Sequence, residues 1–305
     1  MTGEFAAIET IRALLREPPG TDEVWIGDDA AVVAVPPGSR MLLAADTVVG
    51  GVHADLELVG LDDFGWKAMA ACLSDIAAMG GDPCWALVTV AGADHDGVRS
   101  LYAGVAEASR RFGCPVVGGD LTAGPGLVVT VAVVGSCDGA PVLRRGARPG
   151  DEVWVTGPLG ASSAGLRHLR SDGPAAMRGA AAGLARSYAR PRPRLAEGRA
   201  ARVAGATAMI DVSDGLAADV GHISRESGLG ISLHEVPVAE GATADDALAG
   251  GEDFELVFCV PPGDSVGRAF RDLDAPIRIG TCTDDHPGVR LAGAELRPSG
   301  WEHRL

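Results

Sequence analysis

Apolar positions along this chain recur with two periods, and the changes of period mark its elements. Phe5, Ile8, Ile11, Leu14 and Leu15 have helical spacing over residues 5–17, and Pro18-Pro19-Gly20 stops them. Ile26-Gly27-Asp28-Asp29 leads into a strand-like run through Val33; taken alone, that acid pair reads as a turn. Met41 to Val49 is apolar almost without a break, which predicts a strand covered on both faces. Asp62 or Asp63 caps a helix running to Gly80-Gly81, with Pro83 just beyond as a stop. Trp85 to Val90 reads as a strand, 96–112 as a helix, and Pro115 to Val117 as a short strand ending in Gly118-Gly119-Asp120. Leu127 to Gly135 is a valine-rich strand, and the turn-rich stretch 135–150 carries Arg144 and Arg145. A boundary near residue 140 divides the chain into domains 1–140 and 141–305.

The second half opens with a strand, Asp151 to Val155, and a glycine-rich turn from Gly157 to Gly165. Such a turn can cradle a phosphate at a helix N-terminus, although tight packing is the favoured reading. Alanine-rich helices fill 161–188, and Pro191-Arg192-Pro193-Arg194-Leu195 breaks the chain ahead of another. A strand ends at Ile210, the chain turns at Ser213-Asp214-Gly215, and Leu216, Val220 and Ile223 begin a helix. Ser213 and Asp214 are good N-caps for it. Strands follow at Gly230 to His234, after Gly250-Gly251-Glu252-Asp253, and at Ile277 to Cys282.

Several acids interrupt this pattern where a charge is costly. Asp46 sits inside an apolar strand, where an unpaired carboxylate costs several kcal/mol, so a ligand role is expected. Asp75 shares a helix stripe with Ala68, Cys72, Ile76 and Met79; it is a metal ligand or the buried partner of a group such as an arginine. Lys67, on another face of that helix, is expected to snorkel. Asp211, Ser213 and Asp214 crowd together with Asp219. Like charges held so close repel unless a cation sits among them, and Mg²⁺ takes oxygen ligands. His53, after Gly50-Gly51-Val52, is either a loop histidine held by its own turn or a substrate contact.

Composition narrows the chemistry. With 305 residues, 47% hydrophobic and 22% charged, the chain has the size and composition of a folded two-domain protein. No apolar run reaches the roughly 18 residues of a membrane span, and the acidic start lacks the order of a signal peptide, so cytoplasm is expected. Six scattered cysteines without a C-x-x-C pair argue against zinc sites and disulfides and read as small buried apolar residues. A formal net charge of −15 repels nucleic acid but leaves a polyanionic small molecule possible if metal ions bring the positive charge. Lys67 is the only lysine, and neither a Walker A loop nor a protein-kinase lysine setting exists. An acidic cleft whose Mg²⁺ ions hold a triphosphate accounts for the recurring acids together.

The ordered set Gly27-Asp28-Asp29-Ala30-Ala31, Asp46-Thr47 through His53, Ser74-Asp75-Ile76-Ala77-Ala78-Met79-Gly80, Gly118-Gly119-Asp120, Ile210 through Leu216 and Gly250-Gly251-Glu252-Asp253 resembles the thiamine-monophosphate kinases of the aminoimidazole ribonucleotide synthetase superfamily. The likeness extends over Pro191 to Leu195 and Gly300-Trp301. It implies an α+β two-domain fold: an N-terminal α/β domain that binds ATP and Mg²⁺ and forms a β-barrel with its twin in a homodimer, and a C-terminal α+β domain that closes the cleft. It implies transfer of the ATP γ-phosphate to thiamine monophosphate, with no nucleic-acid or membrane partner. Carried over by position, Asp29, Asp46, Asp75, Asp120, Asp211 and Asp214 bind Mg²⁺, with Asp75, Asp120 and Asp214 the catalytic set. Gly119, Asp120, Arg144 and Ser213 contact ATP, and His53, Glu252 and Trp301 contact the thiamine substrate. Two departures are visible: Ala44-Ala45 stands where Ser-Thr is common, and Ala54-Asp55 where Phe is usual. The rival readings are another ATP-using member of the superfamily, either an amidine-forming synthetase or a kinase of a different small phosphate, and a non-catalytic nucleotide- or metal-binding protein. Selenophosphate synthetase is disfavoured, since no reactive Cys or glycine-rich flexible segment precedes Gly27.

Overall fold

A computed structural model describes residues 4–15, 33 and 38–301, with side chains from residue 7 onward. The chain divides into two compact units, one of residues 1–76 and 82–139, the other of 77–81 and 140–305.

The first unit begins with helix α1 (Glu4–Leu14), followed by strand β1 (Arg40–Val49), helix α2 (Leu61–Ala78) and strand β2 (Asp82–Ala91). Helix α3 (His95–Phe112) and strands β3 (Val116–Thr122) and β4 (Val128–Cys137) complete it. The sheet order is β1-β4-β2-β3, with only the β2–β3 pair parallel. Strand alternation gives the sheet two unlike faces. Leu42, Val48, Val88, Val90, Val129, Val131 and Val133 are buried on one of them. There Ile76 of α2 reaches Gly135, and the Tyr102 hydroxyl of α3 donates to the Val88 carbonyl at 3.2 Å.

The other face is open within the chain: Leu43 is 78% exposed and Leu87 44%. The expectation that the apolar run of β1 is covered on both faces therefore fails among the described residues, which supply helices to only one side. Lys67 also departs from expectation. Instead of snorkelling, it is 1% exposed. The glycine pair before Asp120 does not follow a finished strand either, since Gly118 and Gly119 pair with Leu87 and Val88 inside β3.

The second unit is built on a seven-stranded sheet. Strands β5 (Glu152–Val155), β6 (Ala208–Asp211), β7 (Gly230–Leu233), β8 (Leu256–Val260), β9 (Ile277–Thr283), β10 (Val289–Leu291) and β11 (Ala294–Leu296) take the order β11-β10-β7-β9-β5-β8-β6. All neighbours are antiparallel except β10 and β7. Helices α4 (Ala161–Asp172), α5 (Ala182–Ala189), α6 (Leu195–Val203), α7 (Leu216–Ser227), α8 (Ala244–Ala249) and α9 (Ser265–Ala269) join them. Val153, Val155, Ile210, Val257 and Ile279 of the sheet pack with Leu216, Val220 and Ile223 of α7 in one buried core. The six cysteines are free thiols, all buried except the half-buried Cys84. No helix among the described residues is long and apolar enough to cross a membrane.

Candidate functional site

In the first unit the register decides which acids meet. Asp46 lies across β4 and β2 in one row with Val131, Val88 and Gly119, on the helix-covered face. Asp75 of α2 comes to the same place. Between them Cys72 has its thiol pushed up to about 12, by burial first and then by the charges of Asp75 and Asp46. Asp120 belongs to the next row, with Thr89, Thr130 and Thr47, where the Thr47 and Thr130 hydroxyls meet at 2.9 Å. That row faces the open side, and Asp120 is exposed. The sheet thus joins Asp46 with Asp75 and sets the Asp120 side chain on its opposite surface. Asp29 lies outside the described residues.

His53 ends the turn after β1. Its Nδ1 accepts the Val49 N–H at 2.9 Å, and its own N–H donates to the Val49 carbonyl at 3.0 Å. The turn therefore places the ring hydrogen of the neutral imidazole on Nε2.

In the second unit the Val212–Gly215 loop is fully accounted for. Val212 N–H donates to the Glu255 carbonyl at 2.7 Å, and the Val212 carbonyl accepts from Phe254 at 2.9 Å. The Ser213 carbonyl accepts from Glu252 at 2.8 Å and the Asp214 carbonyl from Trp301 at 3.1 Å. The Gly215 carbonyl takes the N–H groups of Ala218 and Asp219, both at 3.0 Å. The three remaining donors, Ser213, Asp214 and Gly215 N–H, all reach Oδ2 of Asp219 at 3.1 Å. The capping expectation is corrected here: Gly215 is the N-cap of α7, with φ 122°, and no side-chain cap comes from it. A Cβ there would lie 2.9 Å from the backbone of Leu248 and Ala249, so only glycine fits.

This loop brings Ser213, Asp214, Glu252 and Trp301 together, beside Asp211 at the end of β6. Asp219 is 2% exposed, and burial, followed by the charge of Asp211, pushes its carboxyl up to about 8. Glu252 holds φ 63° and Phe254 φ 51°, uncommon for residues with side chains. Arg144 lies near α7, where Gly146 and Ala147 N–H donate to Ser227 Oγ at 3.2 Å. His222 of α7 is pulled down by burial, then by Arg225 and Arg144, while Asp214 acts in the opposite sense. Arg144, His222 and Asp214 therefore share one neighbourhood.

Asp253, the acid next to Glu252, has a different task. Its carboxylate accepts Gly160 N–H at 2.6 Å and Ser162 N–H at 3.0 Å, filling the N-terminus of α4. Burial pushes it up to about 7, against those N–H bonds. The glycine-rich turn is therefore occupied by the chain's own anion, and a Cβ on Gly165 would lie 2.0 Å from the Leu184 carbonyl of α5. Packing is its use, as expected. Asp253→Ala is expected to cost about 1–2 kcal/mol, the usual worth of a lost cap. Chemical denaturation checks it, and an unchanged midpoint would contradict the capping role.

Sequence reasoning had seen Asp219 only as one more acid in a crowd, and had missed the part played by His222. An acid in the first turn of a helix whose N-cap is glycine was the available signal for Asp219. Among the described residues, no three His, Cys, Asp or Glu side chains group so as to hold a metal ion by themselves. The donor chemistry still suits Mg²⁺, which is usually held by one or two carboxylates with substrate phosphates and waters completing the shell. Asp46 with Asp75, and Asp211 with Asp214, are pairs of that kind.

Residues 27–137 match the family model "AIR synthase related protein, N-terminal domain", and residues 148–292 match the corresponding C-terminal domain. The chain is 36% identical to the thiamine-monophosphate kinase of Escherichia coli K12 over 303 residues, 94% of this chain and 92% of that one. The crystal structure of the Stenotrophomonas maltophilia thiamine-monophosphate kinase superposes with a TM-score of 0.84 at 33% identity, covering 96% of this chain and 98% of the other. A structure described as "AaThiL complexed with AMPPCP and TMP" is similar with a TM-score of 0.78 at 30% identity, over 99% of this chain and 97% of the other.

Proposed function

Because this chain belongs to the thiamine-monophosphate kinase family of AIR synthase related proteins, we propose that it phosphorylates thiamine monophosphate with ATP, yielding thiamine diphosphate and ADP. The observation that carries the reading is the near-complete match to the relative complexed with AMPPCP and TMP. The acceptor is the substrate's own phosphate, already ionised at neutral pH, so the enzyme needs no side-chain nucleophile. Its work is positioning and charge stabilisation.

Asp29, Asp46, Asp75, Asp120, Asp211 and Asp214 are the Mg²⁺ ligands of this reading, with Asp75, Asp120 and Asp214 central to catalysis; Asp120, on the opposite surface of its sheet from Asp46 and Asp75, would hold an ion apart from theirs. When bound, Mg²⁺ neutralises the charge developing on the transferred phosphoryl group. Gly119 brings backbone close to the nucleotide, Arg144 supplies a guanidinium to its phosphates, and Ser213 a hydroxyl. His53, Glu252 and Trp301 contact the thiamine substrate, and Trp301, 55% exposed, offers a ring face to the cationic thiazolium. The domains are 1–140, for ATP, Mg²⁺ and dimerisation, and 141–305, which carries Arg144, Ser213, Asp214, Glu252 and Trp301. The enzyme works in the cytoplasm.

A homodimer is supported by the open face of the β1-β4-β2-β3 sheet. Leu43, Ala45, Leu87, Ala132 and Val134 lie in adjoining rows there, and a second copy would cover them by closing a barrel. Leu43→Asp with Leu87→Asp is expected to convert dimer to monomer in light-scattering chromatography. An unchanged mass would remove this face from the interface.

Incubation with ATP, Mg²⁺ and thiamine monophosphate tests the activity. Thiamine diphosphate and ADP in equal amounts are expected; intact ATP, or turnover only with another acceptor, would overturn the reading.

A further inference from the structure

We propose that Asp219 is the positioning residue of the Asp211–Gly215 loop: its carboxyl oxygen Oδ2 fills the nest of three successive backbone N–H groups and so holds Asp211 and Asp214 as a metal-binding pair. The proposal rests on the kinase reading for what the pair does, but its geometry stands apart. Three consecutive N–H groups turned to one point form a concavity that binds anions, and in many proteins a phosphate takes that place. Here Oδ2 of Asp219 takes it, with all three contacts at 3.1 Å.

Two consequences follow from the completeness of that bonding. Every N–H and carbonyl of Val212 to Gly215 already has a partner within the chain. The loop therefore has no backbone donor left for a nucleotide's phosphates. It can meet them only through the Ser213 hydroxyl, or through a cation held by Asp211 and Asp214. The loop is thus committed to presenting metal ligands. The second consequence concerns precision. The loop's carbonyls are tied to Glu252, Phe254 and Trp301, and the Asp219 side chain closes the loop from the helix side. Releasing it frees the segment that carries Ser213 and Asp214 while leaving its carbonyl contacts in place.

The test compares wild type with Asp219→Ala in two measurements: the Mg²⁺ concentration giving half-maximal rate, and thermal stabilisation by inorganic phosphate without metal. Outer partners of metal ligands commonly alter metal affinity by about 10–100-fold. The Mg²⁺ midpoint is expected to rise at least about tenfold, and phosphate is expected to stabilise the variant, whose nest is vacant, but not the wild type. An unchanged Mg²⁺ midpoint in a folded variant would overturn the proposal, as would a variant that phosphate does not stabilise. If Asp219→Ala does not fold, Asp219→Ser, whose shorter side chain does not reach the three N–H groups, is read by the same midpoint and the same two results. Failure of the kinase reading shows itself differently: wild type would form no thiamine diphosphate, and the midpoint would then be read from Mg²⁺-dependent ADP binding.

Discussion

Asp214→Asn is expected to lower the rate of thiamine diphosphate formation by about a thousandfold or more, the loss that follows when several kcal/mol of metal-mediated charge stabilisation disappear. The same change is expected to leave the fold intact or slightly firmer. Asp214 adds to the charge that already opposes ionisation of the buried Asp219, so removing it relieves repulsion inside the loop. Its backbone bonds, to Asp219 and from Trp301, do not depend on the side chain. The combination separates a ligand from a structural acid: a structural acid would cost activity and stability together. Melting temperature and rate should be measured with and without Mg²⁺. A variant that turns over at the wild-type rate would sink the metal assignment. So would one whose melting temperature falls far enough to explain its inactivity. Asp75→Asn, beside Asp46 on the covered face of the first sheet, is expected to behave in the same way.

The elements were legible where hydrophobic period and stop signals agreed. The 3.6-residue stripe of α2, bounded by Asp62 and Gly80, is one case, and the valine alternation of β4 is another. What was illegible depended on partners distant in sequence. β1 reads as doubly covered because its apolar residues occupy both parities, and sequence cannot tell whether the second cover comes from this chain or from a copy. The burial of Lys67 was hidden for a related reason, since its surroundings are set by tertiary packing. At the site, acids set among apolar strand and helix positions pointed to Asp46 and Asp75, and the crowding of acids around Ser213 and Gly215 pointed to Asp211 and Asp214. The Gly-Gly-acid pattern could not distinguish Glu252, the proposed substrate contact, from its neighbour Asp253, which caps a helix starting at Ala161. Adjacent acids on an irregular backbone face different ways, and the positive φ of Glu252 and Phe254 carries no sequence mark in a non-glycine residue.

Arg194→Met is expected to destabilise the second unit by about 3–5 kcal/mol, because it leaves a buried carboxylate without its cation. Arg194 bonds Glu255 through Nη2 and Glu197 through Nη1 at 3.4 Å, and both carboxylates are buried. Glu197 keeps Arg192 at 3.2 Å, whereas Glu255 keeps the neutral Thr156 hydroxyl at 2.5 Å. Burial already pushes the Glu255 carboxyl up, with Arg194 and then Thr156 holding it back. Without Arg194 it takes a proton more readily still. The sign of the pH dependence follows. Below the unfolded value of about 4.3 both states are protonated and the variant's deficit is smallest. As pH rises through that value the unfolded chain ionises first, and stability is lost until the raised folded value is passed. The deficit should therefore widen from about pH 4 upward, and at neutral pH lower the melting temperature by roughly 10 °C. Adding Glu255→Gln should recover most of the loss, since a neutral amide can still accept from Thr156 and needs no counter-charge. Urea titrations of the single and double variants at acid and neutral pH decide the matter. A single variant within about 1 kcal/mol of wild type at pH 7, or a double variant no better than the single, would show that this pair does not hold the strand. The consequence reaches the site, because the Glu255 carbonyl receives Val212 N–H at 2.7 Å and so anchors the loop that carries Asp214.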